Sequence, residues 1–154
     1  MDDATFWGLI ARLNWSRTGA DDMVLEPLID ELARLRDGEI AGFQDTLTRK
    51  LYAIDGRAWA RESGSDIWWA EPGSLSEDGF LYARCAVVAA GRDVYERVLV
   101  DPTEMPKNRQ LEGLLYAAST AYERKTGLDA SGELDMSDVS FETFANEAGW
   151  PATT

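Results

Sequence analysis

The sequence predicts an all-α fold, a single compact domain of about six to eight helices. Apolar residues recur at helical spacing through most of the chain, and no stretch alternates polar and apolar residues over a useful length. Glycine and proline breaks separate the periodic segments. Because a chain of 154 residues suits one domain, we expect residues 1–128 to form the helical domain and residues 129–154 an acidic C-terminal extension.

The first third of the chain predicts three helices. The apolar positions of residues 3–13 follow acidic residues that suit a helix N-terminus. A second apolar stripe covers residues 25–35, with Pro27 in the first turn of the helix or at a kink. A third stripe covers residues 40–54 and stops at the Asp55-Gly56 break.

The later helices are shorter, except for the last. Residues 57–74 mix tryptophans with turn residues, which favours short helices joined by loops. A helix over residues 78–90 has Gly91 just after its cap, and another follows over residues 92–100. A last long stripe runs over residues 111–126.

Two serines are candidate caps for the helix that begins near residue 77. Ser74 and Glu77 have the spacing of a capping box, in which Glu77 returns to the amide of Ser74. Ser76 offers an overlapping cap with Asp78 or Gly79. Both alternatives start the helix at nearly the same residue.

The charge balance and the residue counts exclude several classes of function. With 15 basic and 28 acidic side chains, the formal charge of -13 disfavours binding to nucleic acid phosphates. The chain has no histidine and one cysteine, which excludes Ser-His and Cys-His catalysis, a cysteine-rich zinc site and an intrachain disulfide. We expect no metal and no cofactor. The sequence leaves enzymatic activity open, with the balance towards a protein that is not an enzyme.

The same features predict a cytoplasmic protein. The N-terminus lacks the basic and apolar regions of a signal peptide, and no apolar run approaches the roughly 20 residues that a membrane-spanning helix needs. A lone cysteine, Cys85, is typical of a reducing compartment. We therefore expect neither export nor contact with a membrane.

The extension after Gly127 carries six acidic residues and no basic one. Phe141, Phe144 and Ala148 lie at helical spacing, so we expect part of the extension to dock as a short helix. A solvated acidic appendage and a partner-binding segment both fit this composition.

Five short blocks of the sequence form a pattern shared with one protein family. They are Phe6-Trp7, Glu39-Ile40 with Phe43, the block Ser76–Arg84, the run Gly91–Glu96 and Asp101-Pro102. Together they resemble the bacterial family called domain of unknown function 4240 over most of residues 4–126. This chain has Ala83 and Ala86 where the family tends to have bulky aromatics. The resemblance implies a helical fold and a bacterial source, and it implies no reaction.

The arginine that ends the most specific of these blocks has two interpretations. Arg84 lies on the apolar side of its predicted helix, where a guanidinium needs an acceptor. In the first interpretation, a nearby carboxylate clamps it, with three candidates: Glu77, Asp78 and Glu96. In the second, Arg84 and Arg92 bind an anion while Tyr82 and Tyr95 supply hydroxyl groups.

Adjacent tryptophans form a candidate partner-binding site. On a helix, Trp68 and Trp69 would point about 100° apart, so both seldom face one core. One of them is then expected at a groove or at the surface, where aromatic side chains often anchor a partner.

Two functions of different class remain. The first is a noncatalytic binding or accessory protein that recognises a protein partner, itself basic, through an acidic surface bearing tryptophan. The second is an enzyme or small-molecule binder that acts on an anionic ligand through Arg84, Arg92 and the nearby tyrosines. The acidic composition, the tryptophan pair and the lack of a catalytic constellation favour the first.

Overall fold

The fold is all-α, as the sequence predicts, in a computed structural model that describes residues 1–68 and 74–152. The helices of this part of the chain are α1 Asp3–Ile10, α2 Asp21–Ala33, α3 Asp37–Ala53, α4 Arg57–Glu62, α5 Glu77–Ala89, α6 Arg92–Val100 and α7 Ala117–Thr126. Within these residues, β-type backbone pairing consists of one isolated antiparallel bridge between Trp68 and Leu75. None of the described helices is both long and apolar enough to cross a membrane.

The chain divides into two compact units. Unit 1 contains Met1–Leu47 and Gly113–Asp138, and unit 2 contains Thr48–Glu112 and Val139–Thr154. The helix α3 therefore begins in unit 1 and ends in unit 2. The residues after 128 contribute to both units, as far as residue 138 to the first and from residue 139 to the second.

Unit 1 is built on α2, which packs against α1 and α7. The rings of Phe6 and Phe43 stack in its core, with their centroids 5.1 Å apart. Pro27 lies in the interior of α2, so of its two predicted places the first turn is wrong, while the kink stays a prediction. The helix continues through this residue. The proline costs the helix one backbone donor, but the apolar face of α2 stays buried and stabilises it.

Unit 2 is built around α5, which is buried along most of its length. Ser76 caps this helix and accepts a hydrogen bond from the Gly79 amide at 3.0 Å. The alternative cap, Ser74, is not used. Gly91 follows the cap of α5 with a φ of 100°, a left-handed conformation that glycine adopts without strain, and this confirms its predicted role.

Two expectations for the end of the chain are wrong in detail. The last helix begins only at Ala117, after a 3-10 turn over Glu112–Tyr116. The predicted short helix over residues 141–148 is an irregular segment that ends in a 3-10 turn, Glu147–Gly149. Phe144 has a φ of 75°, which an α-helix excludes.

Candidate functional site

Arg84 is fully buried in α5, with 0% of its surface exposed. Its Nη1 donates to the carbonyl oxygen of Leu51 at 2.9 Å, and its Nη2 donates to the hydroxyl of Thr143 at 3.0 Å. The Nη2 atom also lies 4.0 Å from a carboxylate oxygen of Asp55. These contacts confirm that the guanidinium is buried and held by protein acceptors.

The carboxylate beside Arg84 is Asp55, so the three candidates nearer in sequence were wrong. Glu77 takes part through its backbone, because its carbonyl oxygen accepts from the Thr143 hydroxyl at 2.8 Å. Asp78 is exposed at the first turn of α5, and Glu96 accepts from Arg92. The partner of Arg84 comes instead from the loop after α3, which only the tertiary fold brings close.

Asp55 is itself fully buried, with 0% exposed. Its carboxylate accepts from the backbone amides of Phe144 at 3.3 Å and Asn146 at 3.0 Å. A third donor is the indole nitrogen of Trp150, at 2.9 Å. Three donors therefore satisfy the hydrogen-bonding capacity that this buried carboxylate has lost to water.

Side chains of unit 2 donate hydrogen bonds to carbonyl groups in the last turn of α3. The Tyr95 hydroxyl donates to the carbonyl oxygen of Lys50 at 2.9 Å, next to the bond from Arg84 to Leu51. The amide nitrogen of the Asn146 side chain donates to the carbonyl oxygen of Tyr52 at 3.1 Å. A buried arginine at this helix end also complements the negative end of the helix dipole.

Burial governs the acid-base properties of this part of α5. Burial lowers the pKa of Arg84, and the negative charge of Asp55 acts in the opposite direction. Burial also raises the pKa of the Cys85 thiol to about 12, so the thiol is protonated at neutral pH. The Cys85 thiol is therefore not poised to act as a nucleophile.

The residues of the predicted anion site make hydrogen bonds to separate parts of unit 2. Arg84 and Tyr95 both bind carbonyl groups at the end of α3. Tyr82 donates to the carboxylate of Glu112 at 3.2 Å, and exposed Arg92 pairs with Glu96 at 2.7 Å. The hydrogen bonds of Arg84 thus fit the clamp interpretation, in which protein atoms hold the guanidinium.

One tryptophan of the predicted pair can be placed. Trp68 is half-buried, and its indole nitrogen donates to the carbonyl oxygen of Ala60 in α4 at 3.3 Å. Trp69 lies outside the described residues. Trp59, also from α4, donates its indole hydrogen to the carbonyl oxygen of Val98 at 2.8 Å.

An open cavity of about 570 Å³ lies along α6 and the 3-10 turn Pro102–Glu104 that follows it. We call it the acidic groove, and its lining residues are Asp93, Glu96, Arg97, Val100, Asp101 and Glu104. Val100 is 85% exposed, which makes it the apolar part of an otherwise charged lining. The sequence predicts the helix over residues 92–100 but not this groove.

The arginines near the groove are engaged with its acids. Arg97 lies 3.6 Å from Glu104, and the side chains of both are half exposed. Asp101 accepts from the hydroxyl of Thr103 at 2.7 Å and from its amide at 2.9 Å, which holds the pKa of Asp101 below its usual value. With four carboxylates and one arginine in its lining, the groove carries a net negative formal charge.

In residues 1–68 and 74–152, no three acidic or cysteine side chains come together in a way that would hold a metal ion. We call Arg84, Asp55 and Thr143 the buried cluster, which unit 2 carries in addition to the acidic groove. The first is closed to solvent, and the second is open.

The family described as a protein of unknown function (DUF4240) matches residues 1–124. This range includes α1 to α6, Arg84 and every residue that lines the acidic groove. No curated protein and no solved structure matches the chain. Since the match covers most of its length, the chain belongs to the DUF4240 family.

Proposed function

We propose that this chain is a noncatalytic binding protein that recognises a basic protein partner through the acidic groove of unit 2. The observation that carries the proposal is the combination, in one open cavity, of four carboxylates and a highly exposed valine. Lysine and arginine side chains have an aliphatic stem and a cationic head, so they match both parts of such a lining.

The charge of the whole chain supports the same partner. A formal charge of -13 attracts cationic surfaces from a distance and repels anionic ones. The groove gives this general attraction a defined place, because its acids lie on a helix and a short turn that hold them in fixed positions. Binding of this kind needs neither a nucleophile nor a metal.

A tryptophan on a neighbouring element supports the proposed surface. The indole of Trp68 donates a hydrogen bond to the carbonyl oxygen of Ala60 in α4. The helix α4 in turn packs against the 3-10 turn that supplies Glu104 to the groove. Half-buried tryptophans are common anchors of protein interfaces, since a fixed ring loses little freedom on binding. The proposal extends to the compartment, because a single buried cysteine suits the reducing cytoplasm of a bacterium.

A titration with a basic peptide tests the proposal. The probe is a fluorescein-labelled peptide rich in lysine, arginine and alanine, and its binding to the full chain is followed by fluorescence anisotropy. We expect the variant Glu96→Gln/Glu104→Gln to bind the peptide about tenfold more weakly, because it removes two negative charges of the groove. Raising the salt concentration should slow association more than dissociation.

A variant with the same change of charge elsewhere is the control. Glu133→Gln/Asp135→Asn removes two exposed charges of unit 1. We expect this variant to bind the peptide almost as tightly as the unchanged chain. Equal weakening by the two variants would show that the peptide responds to total charge alone, and the proposed site would then be wrong.

A further inference from the structure

The C-terminal segment of unit 2 binds the rest of the unit through hydrogen bonds of the kind that a peptide ligand makes with a protein. We call residues 139–152 the strap. Its Phe144 amide, Asn146 amide and Trp150 indole all donate to the carboxylate of Asp55, and the Asn146 side chain donates to the carbonyl oxygen of Tyr52. The strap thus supplies most of the donors, and the surface beneath it supplies the acceptors.

At Thr143 the surface donates to the strap. Its hydroxyl accepts from Arg84 and donates to the carbonyl oxygen of Glu77. This threonine is the buried residue of the strap, since the rest of residues 139–152 are exposed or half-buried. Besides these polar contacts, the ring of Trp150 contacts the rings of Phe80 and Phe144.

Three features make the docked state of the strap costly. It keeps water from Asp55 and Arg84, whose charges lie 4.0 Å apart and carry the penalty of desolvation. It leaves the buried Nε of Arg84 without a hydrogen-bond partner in the described part of the chain. It also places Phe144 at a φ of 75°, which residues with a side chain rarely adopt.

Opening of the strap would relieve all three costs at once. Water would reach both charges and the free Nε, and Phe144 would return to an ordinary backbone conformation. The helices of unit 2 do not depend on hydrogen bonds made by the strap for their own internal ladders. A segment of this kind opens locally more readily than a helix of the core.

We propose that unit 2 carries a peptide-docking site, formed by Asp55, Arg84 and the carbonyl groups at the end of α3. The strap is its ligand within the same chain and leaves the site while the helices stay folded. The site recognises four residues at fixed spacing along the peptide, namely Thr143, Asn146, Gly149 and Trp150. Gly149 belongs to the pattern because a Cβ atom there would clash with the carbonyl oxygen of Asp55.

Hydrogen exchange of the unchanged full chain tests whether the strap opens by itself. We expect the amides of residues 143–150 to exchange about 100-fold faster than those of α5, with little dependence on denaturant concentration. Exchange of both segments at one rate, with the same steep dependence on denaturant, would mean that the strap opens only when the protein unfolds. That result would overturn the proposal.

A glycine variant tests whether the site accepts the same sequence from another molecule. Gly149→Ala should release the strap, and Gly8→Ala is the control, since a Cβ at Gly8 meets nothing within 4 Å. A fluorescein-labelled peptide of residues 139–152 should bind the Gly149→Ala chain about tenfold more tightly than the unchanged chain. The same peptide carrying Gly149→Ala should bind neither chain.

Three results would contradict the docking site. The first is a folded Gly149→Ala chain that binds neither peptide. The second is equal binding of both peptides, which would show that the pattern is not recognised. The third is a Gly149→Ala chain that no longer melts cooperatively while Gly8→Ala does, because the strap would then be part of the core.

Discussion

The two charged clusters of unit 2 differ in what their charges face. Around Arg84 and Asp55 the charges face protein donors and acceptors, and water is excluded. In the acidic groove the charges face solvent, and the ion pairs Arg92–Glu96 and Arg97–Glu104 are half exposed. A charge that faces protein groups is already engaged by them, whereas a charge that faces water stays available to a partner.

The comparison also separates the two functions that the sequence suggests. An anionic ligand at Arg84 would have to replace the hydrogen bonds to Leu51 and Thr143. A basic partner at the groove would replace only water and exposed ion pairs, which are weak. The groove is therefore the more accessible of the two places, and the predictions below compare it with the buried cluster.

Loss of the buried arginine should give the largest effect on stability. Arg84→Met leaves the Leu51 carbonyl and the Asp55 carboxylate without their cation, so the free energy of unfolding should fall by about 3–5 kcal/mol. Arg92→Met, which breaks an exposed pair, should lower it by about 0–1 kcal/mol. Urea denaturation of both variants measures the difference. Equal losses of unfolding free energy in the two variants would mean that the buried arginine contributes no more to stability than the exposed one.

Removal of one hydroxyl should give a smaller effect in the same direction. Thr143→Val keeps the shape of the side chain and removes both hydrogen bonds of its hydroxyl, which should cost about 1–3 kcal/mol of unfolding free energy. Thr103→Val removes the comparable hydroxyl at exposed Asp101 and should change the melting temperature much less. Thermal melts of the pair would contradict the account if the exposed variant were the less stable.

Trp68→Ala should act mainly on binding. If the indole anchors the partner, the basic peptide should bind about tenfold more weakly, while helicity and melting stay nearly unchanged. Trp15→Ala removes an exposed tryptophan of unit 1, 47% exposed, and should leave binding as it is. Circular dichroism and anisotropy measure the two properties separately. Loss of binding together with unfolding would assign Trp68 to the core.

The smallest expected effect is that of a chelator. EDTA should leave the melting temperature unchanged, because the chain lacks histidine and has one buried cysteine. The measurement is a melt with and without EDTA, together with elemental analysis of the purified protein. A stoichiometric metal whose removal shifts the melting temperature would overturn this expectation.

The helices could be predicted because their signals are local. Residues 76–91 carry a serine cap, an apolar run and a closing glycine, and each of these acts within one or two turns. Even the burial of Arg84 followed from its place on the apolar side of α5. Local pattern thus predicts the fold class and the burial of the arginine.

The partners of that arginine were out of reach of local pattern. Asp55 was recognised only as the stop after α3, and its approach to α5 depends on how the helices of unit 2 pack. Phe141, Phe144 and Ala148 have helical spacing and so predict a helix in the strap, but the strap that donates to Asp55 has an irregular backbone. Tertiary hydrogen bonds overrode the periodicity.

One measurement tests directly whether the partner binds at the acidic groove and not at the buried residues Arg84 and Asp55. Hydrogen exchange of the full chain is recorded with and without saturating basic peptide. The account predicts slower exchange in residues 92–104, which include the acidic groove, and unchanged exchange in residues 143–150, which cover Arg84 and Asp55. Slower exchange at residues 143–150 with no change at residues 92–104 would contradict it.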